Sequence, residues 1–308
     1  MFKPTWARAA LTHPVFTGIA RQHLADLIAE LAGPWTAAHE GALGQRRGHA
    51  RRRAPGAGPR QRLGFPDRVL VTLVVLRTQL PHQALAVLYR VDRATVTRAV
   101  QEVRPLLAAR GFAVPDLPGV RLRTLADAVA YAAAHGVQLR IDATETQVRR
   151  PAAKRPGRRA FISGKRKQNT IKTTAVCDGQ GRTLWAGAVR PGRMHDQTAV
   201  KTEGIEALLR QHPRVRIRVD TGYRGLAKAF PTQVSVPPLP PAKDAPPDTI
   251  IAYKQARTLQ SSRRICIEHA IAEHKQWRPL QRYLGRRDAY PETYLAIAAL
   301  VSDRSARR

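Results

Sequence analysis

Residues 214–225 read RVRIRVDTGYRG, and this stretch decides the fold. Arg214, Arg216 and Arg218 alternate with Val215, Ile217 and Val219, a period of two that predicts a β-strand with one apolar face. The strand ends on one carboxylate, Asp220, and Thr221-Gly222 forms its exit. By itself a strand-end Asp neutralises its neighbours or caps the next helix. A second stretch, VQLRID at 137–142, repeats the pattern: Val137, Leu139 and Ile141, then Asp142 in the same phase. Laid side by side and parallel, strands about 4.8 Å apart bring both carboxylates to one face at one end. Two bare carboxylates that close repel, and one takes up a proton unless a cation intervenes. Hard oxygen ligands suit Mg²⁺ or Mn²⁺.

Outward from these strands, IKTTAVCD (171–178) and RTLWAGAV (182–189) are further strand candidates, joined by the hairpin turn Asp178-Gly179-Gln180-Gly181. HDQTAVKTEGIEALLRQ predicts a helix that returns the chain to a strand beside the first. A Pro-rich loop, VPPLPPAKDAPPD, precedes a long helix through YKQARTLQSSRRICIEHAIAEHKQW. Together these predict an α/β sheet of mixed direction. A sheet covered by helices on both faces is apolar throughout. The arginine faces of the two Asp-ending strands therefore leave DNA or covering loops as alternatives for what lies over them.

The N-terminal texture is helical. Residues 1–40 contain the amphipathic run ARQHLADLIAEL, and residues 41–63 lose all apolar periodicity, which predicts a basic linker or phosphate-tracking arm. Leu70, Leu73, Val74 and Leu76 then mark one apolar helix face, and Pro81 opens a second helix, PHQALAVLY. After the turn Arg90-Val91-Asp92, a third helix carries Val96, Val100 and Val103 as its buried stripe. Arg93, Thr95, Thr97, Arg98 and Gln101 face outward, which is helix-turn-helix spacing with a DNA-contacting face, although other three-helix bundles share it.

The balance of charge agrees. Lys+Arg is 53 against Asp+Glu 22 in 308 residues, a formal charge of +31, which calls for a polyanionic partner, nucleic acid ahead of a membrane surface. Only 10 of the 53 basic residues are Lys, so part of the excess also fits the drift of a GC-rich genome. No apolar run approaches the roughly 20 residues of a membrane span, and no signal peptide stands out. Cys177 and Cys266 form no CxxC or CxH cluster, there is no GxxxxGK[ST] loop, and His195, His269 and His274 have no zinc spacing. His195-Asp196 fits a cap on the following helix. The expected setting is the bacterial cytoplasm, on nucleoid DNA, without membrane or ATP.

On the long helix, Arg264, Glu268 and Lys275 fall within about 40° of one face, while Glu273 lies about 140° from Glu268. This spacing equally describes a surface ion-pair stripe. The ordered set RIDATE at Asp142, RPGRMHD ending at Asp196, VDTGYRG at Asp220 and RRICIEHAIAEHKQW (Arg264-x3-Glu268-x6-Lys275) resembles the DDE transposases of bacterial insertion sequences. More narrowly, it is similar to their Harbinger-related branch. FISGKRKQNTIKTTAVCDGQG and the helix-turn-helix RVLVTLVVLRTQLPHQALAVLYRVDRATVTRAV share the likeness, which covers roughly residues 62–300. Two positions depart from it: Ser261 stands where relatives often have Tyr, and Ala143-Thr144-Glu145 where Gly-Thr-His is common.

The resemblance implies a ribonuclease-H-like mixed sheet with flanking helices, preceded by an all-α helix-turn-helix domain. It implies a helical segment and linker at 1–61, the helix-turn-helix domain at 62–112 and the catalytic domain at 113–308. Asp142, Asp220 and Glu268 would be both the catalytic triad and the ligands of Mg²⁺ or Mn²⁺, supported by Arg264, Lys275 and His195. The implied activity is DNA recombination, with cleavage of double-stranded DNA at transposon terminal repeats and strand transfer into target DNA by a homo-oligomer. The alternatives are a catalytically decayed copy, a metal-dependent nuclease without strand transfer, or a helix-turn-helix regulator.

Overall fold

The structure, a computed structural model, describes residues 4–49, 61–152, 157–187 and 189–307. No helix among them is long and apolar enough to cross a membrane. The chain divides into two compact units, one holding the residues up to Ala109 with Trp277–Pro279, the other Arg110–Gln276 with the residues from Leu280 onward.

The first unit is built from α1 (Pro4–Leu11), α2 (Pro14–Thr17), α3 (Arg21–Arg47), α4 (Phe65–Thr78), α5 (His82–Tyr89) and α6 (Arg93–Ala109). Helix α3 runs into the stretch predicted as linker, because Ala, Leu, Gln and Arg at 42–47 sustain a helix without an apolar stripe. It stops at Gly48, whose φ of 68° is left-handed. Arg51, Arg52 and Arg53 of the expected arm lie outside the described residues. Helix α4 is buried nearly all round rather than on one face, since α1, α2, α3 and α6 all pack on it. Its polar groups are paired: Asp67 with the Arg8 guanidinium, Arg68 with Glu102 at 2.8 Å, and the Thr72 hydroxyl with the Arg68 carbonyl at 2.7 Å. Arg90, at a left-handed φ of 54°, makes the tight turn from α5 into α6, and Val96, Val100 and Val103 form the buried stripe of α6.

The second unit opens with the short hairpin β1 (Phe112–Ala113) and β2 (Arg121–Leu122), then α7 (Leu125–His135), which starts from a Thr124–Asp127 capping box. It continues through β3 (Leu139–Val148), β4 (Thr170–Cys177), β5 (Thr183–Ala186), β6 (Arg190–Pro191), α8 (Asp196–Glu203), α9 (Ile205–Gln211) and β7 (Ile217–Arg218). Then follow α10 (Arg224–Ala229), β8 (Val234–Ser235), α11 (Pro247–Lys275), α12 (Arg278–Gln281), β9 (Arg282–Tyr283) and α13 (Tyr290–Ala306). The sheet order is β5-β4-β3-β7-β8, with β6 on β4 and β9 on β3. The β3–β4 and β4–β5 pairs are antiparallel; β3–β7 and β7–β8 are parallel. This is the ribonuclease-H-like mixed sheet with flanking helices.

Local chemistry explains the connections. Asp178 closes the β4–β5 hairpin by accepting the Gln180 and Arg182 N–H groups on Oδ1, both at 2.9 Å. The predicted single helix after His195 is two, α8 and α9, broken at Gly204 in a left-handed conformation with φ of 75°. Strand β7 is shorter than its alternation suggests, but Leu139 N–H still reaches the Arg216 carbonyl at 2.9 Å and Val219 N–H the Ser235 carbonyl at 3.0 Å.

Leu139, Ile141, Val215, Ile217 and Val219 are buried, as their spacing requires. Two arginines of these strands, Arg140 and Arg218, lie against α11, whereas Arg214 and Arg216 are exposed. Arg140 donates to the carbonyls of Gln138 (2.6 Å) and Arg263 (3.4 Å), and Arg218 to the side-chain oxygens of Gln138 (2.9 Å) and Gln260 (3.0 Å). A guanidinium under a helix is satisfied by amides and carbonyls, so a polar sheet face can be covered without an unpaired group.

Candidate active site

Strands β3 and β7 run parallel with Leu139 opposite Ile217 and Arg140 opposite Arg218. Asp142 and Asp220 each follow two residues on, and they converge on Arg264 of α11. Its Nη2 lies 3.1 Å from Asp142 Oδ2 and its Nη1 3.1 Å from Asp220 Oδ1. Arg264 is 9% exposed, whereas the Asp220 side chain is 47% exposed and that of Asp142 23%. Asp142 Oδ1 accepts the Ala143 N–H at 2.7 Å. Burial pushes the Asp142 carboxyl up to about 6; Arg264 and the Ala143 N–H pull it down, and the carboxylates of Asp220 and Asp196 add to the rise.

Asp196, the first residue of α8, is a member of this neighbourhood that spacing alone missed. It takes a hydrogen bond from Lys172 Nζ at 2.8 Å, and the same ammonium donates to the Met194 carbonyl at 2.8 Å. A Cβ on Gly222 would sit 2.7 Å from Asp196 Oδ2, so the glycine of VDTGYRG leaves room for the Asp196 carboxylate beside the exit of β7. Next to it Tyr223 is 1% exposed, and its hydroxyl has no hydrogen-bond partner. Burial raises its pKa well above the phenol value, and the charges of Asp196, Asp142, Glu203 and Asp220 raise it further. The signals for these residues were in the quoted motifs, but their meaning depends on which loops meet.

The other sequence-predicted residues are placed as follows. Glu268, one turn after Arg264, is exposed. Among the described residues no group of three or more His, Cys, Asp or Glu side chains stands ready to hold a metal ion. Lys275 lies at the end of α11, where Nζ donates to the carbonyls of Glu145 (2.5 Å) and Leu280 (2.7 Å). Burial, then Arg166, brings its pKa down to about 8, against the opposing pull of Glu145. Glu145 accepts from the Thr170 hydroxyl at 2.9 Å and lies 4.0 Å from Lys172. His195 caps α8, its Nδ1 accepting the Gln197 N–H at 3.3 Å. Glu273 is buried and paired with Arg304 at 3.4 Å. His274 is buried between the Thr183 and Tyr294 hydroxyls, at 3.3 and 3.5 Å. His269 is exposed.

In the first unit, Arg93, Arg98 and Gln101 of α6 are exposed and Thr95 and Thr97 partly so, all beside the buried valine stripe. The Thr97 hydroxyl is 2.9 Å from His82 Nδ1, which ties the start of α6 to the start of α5.

Comparison with known proteins gives this geometry a family. Residues 141–302 match the family model described as DDE superfamily endonuclease, and residues 61–113 match the helix-turn-helix of DDE superfamily endonuclease. The first match spans just over half of the 308 residues, and the chain belongs to the DDE superfamily of endonucleases. It is 23% identical over 172 residues to the "Probable transposase for insertion sequence element IS702" of Microchaete diplosiphon, covering 56% of each protein. The chain thus spans about half the length of this curated relative. A solved chain titled "Crystal structure of the Mos1 Strand Transfer Complex" aligns over 84% of both chains at 14% identity, with a TM-score of 0.20, too loose a likeness to carry an argument.

Proposed function

We propose that this chain cuts double-stranded DNA at transposon ends and joins the freed ends to target DNA, using divalent cations, Mg²⁺ or Mn²⁺, held by Asp142, Asp220 and Glu268. The observation that carries this reading is the guanidinium of Arg264 between the carboxylates of Asp142 and Asp220: a cation stands where two hard oxygen donors converge. Burial raises the Asp142 carboxyl to about 6 even with the Arg264 guanidinium beside it, so a positive charge at this place favours the carboxylate form. Two convergent carboxylates, Asp142 and Asp220, are donors of the kind a hard divalent ion takes, and Glu268, on the same helix as Arg264, is the third donor in this proposal.

Bound there, such cations would activate an attacking oxygen and neutralise the leaving one in an in-line phosphoryl transfer. The chain's own residues do the rest. Asp142 and Asp220 fix the position of charge from two strands of one rigid sheet. Lys172 orients Asp196 beside them, and Lys275 ties the end of α11 to β3. On α6, Arg93, Thr95, Thr97, Arg98 and Gln101 read base edges, and the Arg-rich 41–63 stretch supplies affinity for phosphates. No covalent enzyme intermediate and no ATP are needed. The working form is a homo-oligomer on nucleoid DNA in a bacterial cytoplasm, with a helical segment and linker at 1–61, a reading domain at 62–112 and a catalytic domain at 113–308.

The test is purified protein, Mg²⁺ and a duplex carrying the flanking element end. Cuts at the element boundary that leave 3′-hydroxyls, followed by joining to a second duplex, are expected. Specific retention on that duplex without any cut would instead mark a DNA-binding regulator.

A further inference from the structure

We propose that Arg264 is an internal counter-ion that closes the Asp142–Asp220 pair in the metal-free protein and competes with the divalent cation for it. This rests on the reading of that pair as the metal site. A basic residue beside metal ligands is ordinarily taken as a prop, whose removal weakens the metal site, or as a phosphate contact, whose removal leaves metal binding unchanged when no DNA is present. A competitor predicts the opposite sign.

Three features of the geometry favour competition. First, Arg264 does not chelate one carboxylate; it spends Nη2 on Asp142 Oδ2 and Nη1 on Asp220 Oδ1. The guanidinium bridges these two oxygens, whereas Asp142 Oδ1 is already engaged by the Ala143 N–H. A shared cation needs the two oxygens that the guanidinium now holds. Two cations that close, in a half-buried setting, repel strongly. Second, the fit of the guanidinium is incomplete. Its Nε is buried and has no hydrogen-bond partner, a cost that the protein tolerates in this position. Third, the side chain is anchored on α11 one turn before the exposed Glu268. Moving the guanidinium off the pair vacates both oxygens and leaves its five N–H donors free for a DNA phosphate.

Mn²⁺ binding to the full-length protein, read as the loss of the free-ion electron paramagnetic resonance signal, separates the roles without any turnover. For Arg264→Gln the account expects Mn²⁺ to bind roughly tenfold tighter than to wild type, since a competing state has been removed. Arg264→Lys, which keeps one charge but loses the two-pronged reach, should fall between them and guards against a folding defect in the first variant. Asp220→Asn should lose the site. Equal or weaker binding by both Arg264 variants overturns the proposal while Asp220→Asn still defines the metal pair. Wild-type binding that Asp220→Asn does not change removes the metal-site reading itself, and the proposal with it.

Discussion

On α6, Arg93 and Arg98 stand exposed beside a buried valine stripe; on α11, Arg264 is buried and clasped by two carboxylates. The residue type is the same and the surroundings reverse its work. An exposed guanidinium keeps its water until a phosphate or base edge replaces it, so it is available to a partner. A buried one needs its partners inside the fold, and at Arg264 those partners are two carboxylates. The outward face of α6 is open to solvent. The inner face of α11 is built around a charge that belongs to the site.

The comparison breaks most visibly if the two helices do not divide recognition from chemistry. Asp220→Asn removes one member of the clasped set and leaves α6 intact. Cleavage of element-end DNA should fall by roughly 10³-fold, the scale of one preorganised charge at a reacting centre, while retention on the same DNA stays near wild type in a gel-shift titration. A variant that keeps cutting would move the chemistry elsewhere. Replacing Arg93, Thr97 and Arg98 by Ala should do the converse. Discrimination between element-end and random DNA should drop by about tenfold or more, since each good base contact contributes about 1–3 kcal/mol. Neutralising Arg46 and Arg47 should lower affinity for both DNAs alike and flatten the salt dependence, by about 0.9 in log–log slope per lost phosphate contact. Reversed outcomes for the two sets of variants would reverse the division of labour.

A smaller effect probes the buried side of α11 through stability. Burial, then Lys275 and Arg304, pushes His274 down to about 3. The unfolded chain therefore takes up the proton first, near the ordinary value of 6.5. The stability that goes with a neutral His274 is present above pH 6.5 and is lost as pH falls toward 3, by up to about 1.4 kcal/mol per pH unit. Urea melts at pH 7 and 5.5 should show wild type losing more than His274→Asn by about that amount. Parallel losses would mean that His274 is not held neutral in the fold.

Much of this was legible in the sequence. Period-two alternation marked both strands of the central pair, and their matched phase put Asp142 and Asp220 together. The valine stripe of α6 marked its outward face in the same way. Both signals are local, so one strand or one helix carries them whole. The cover over Arg140 and Arg218 was not legible, because an Arg face that reads as open to DNA looks the same when a helix with Gln260 and the Arg263 carbonyl lies on it. The break at Gly204 was present as a glycine inside a helical pattern, but only its left-handed backbone turns that residue into a stop. Asp196, Lys172 and Tyr223 come from three separate segments, and the Lys172–Asp196 hydrogen bond and the close approach at Gly222 bring α8 to the site. Arg264 was found by helical spacing as a companion of Glu268, whereas its partners in the fold are the two aspartates.

The central claim is that Asp142, Asp220 and Glu268 share divalent cations and that Arg264 gives way to them. Anomalous diffraction from crystals soaked in Mn²⁺ tests it most directly. The account predicts an anomalous peak bonded to Asp142 and Asp220, with the Glu268 carboxylate turned toward it and the Arg264 guanidinium moved off both aspartates. A guanidinium still bridging Asp142 and Asp220 in fully soaked crystals, with manganese bound only elsewhere, would contradict it.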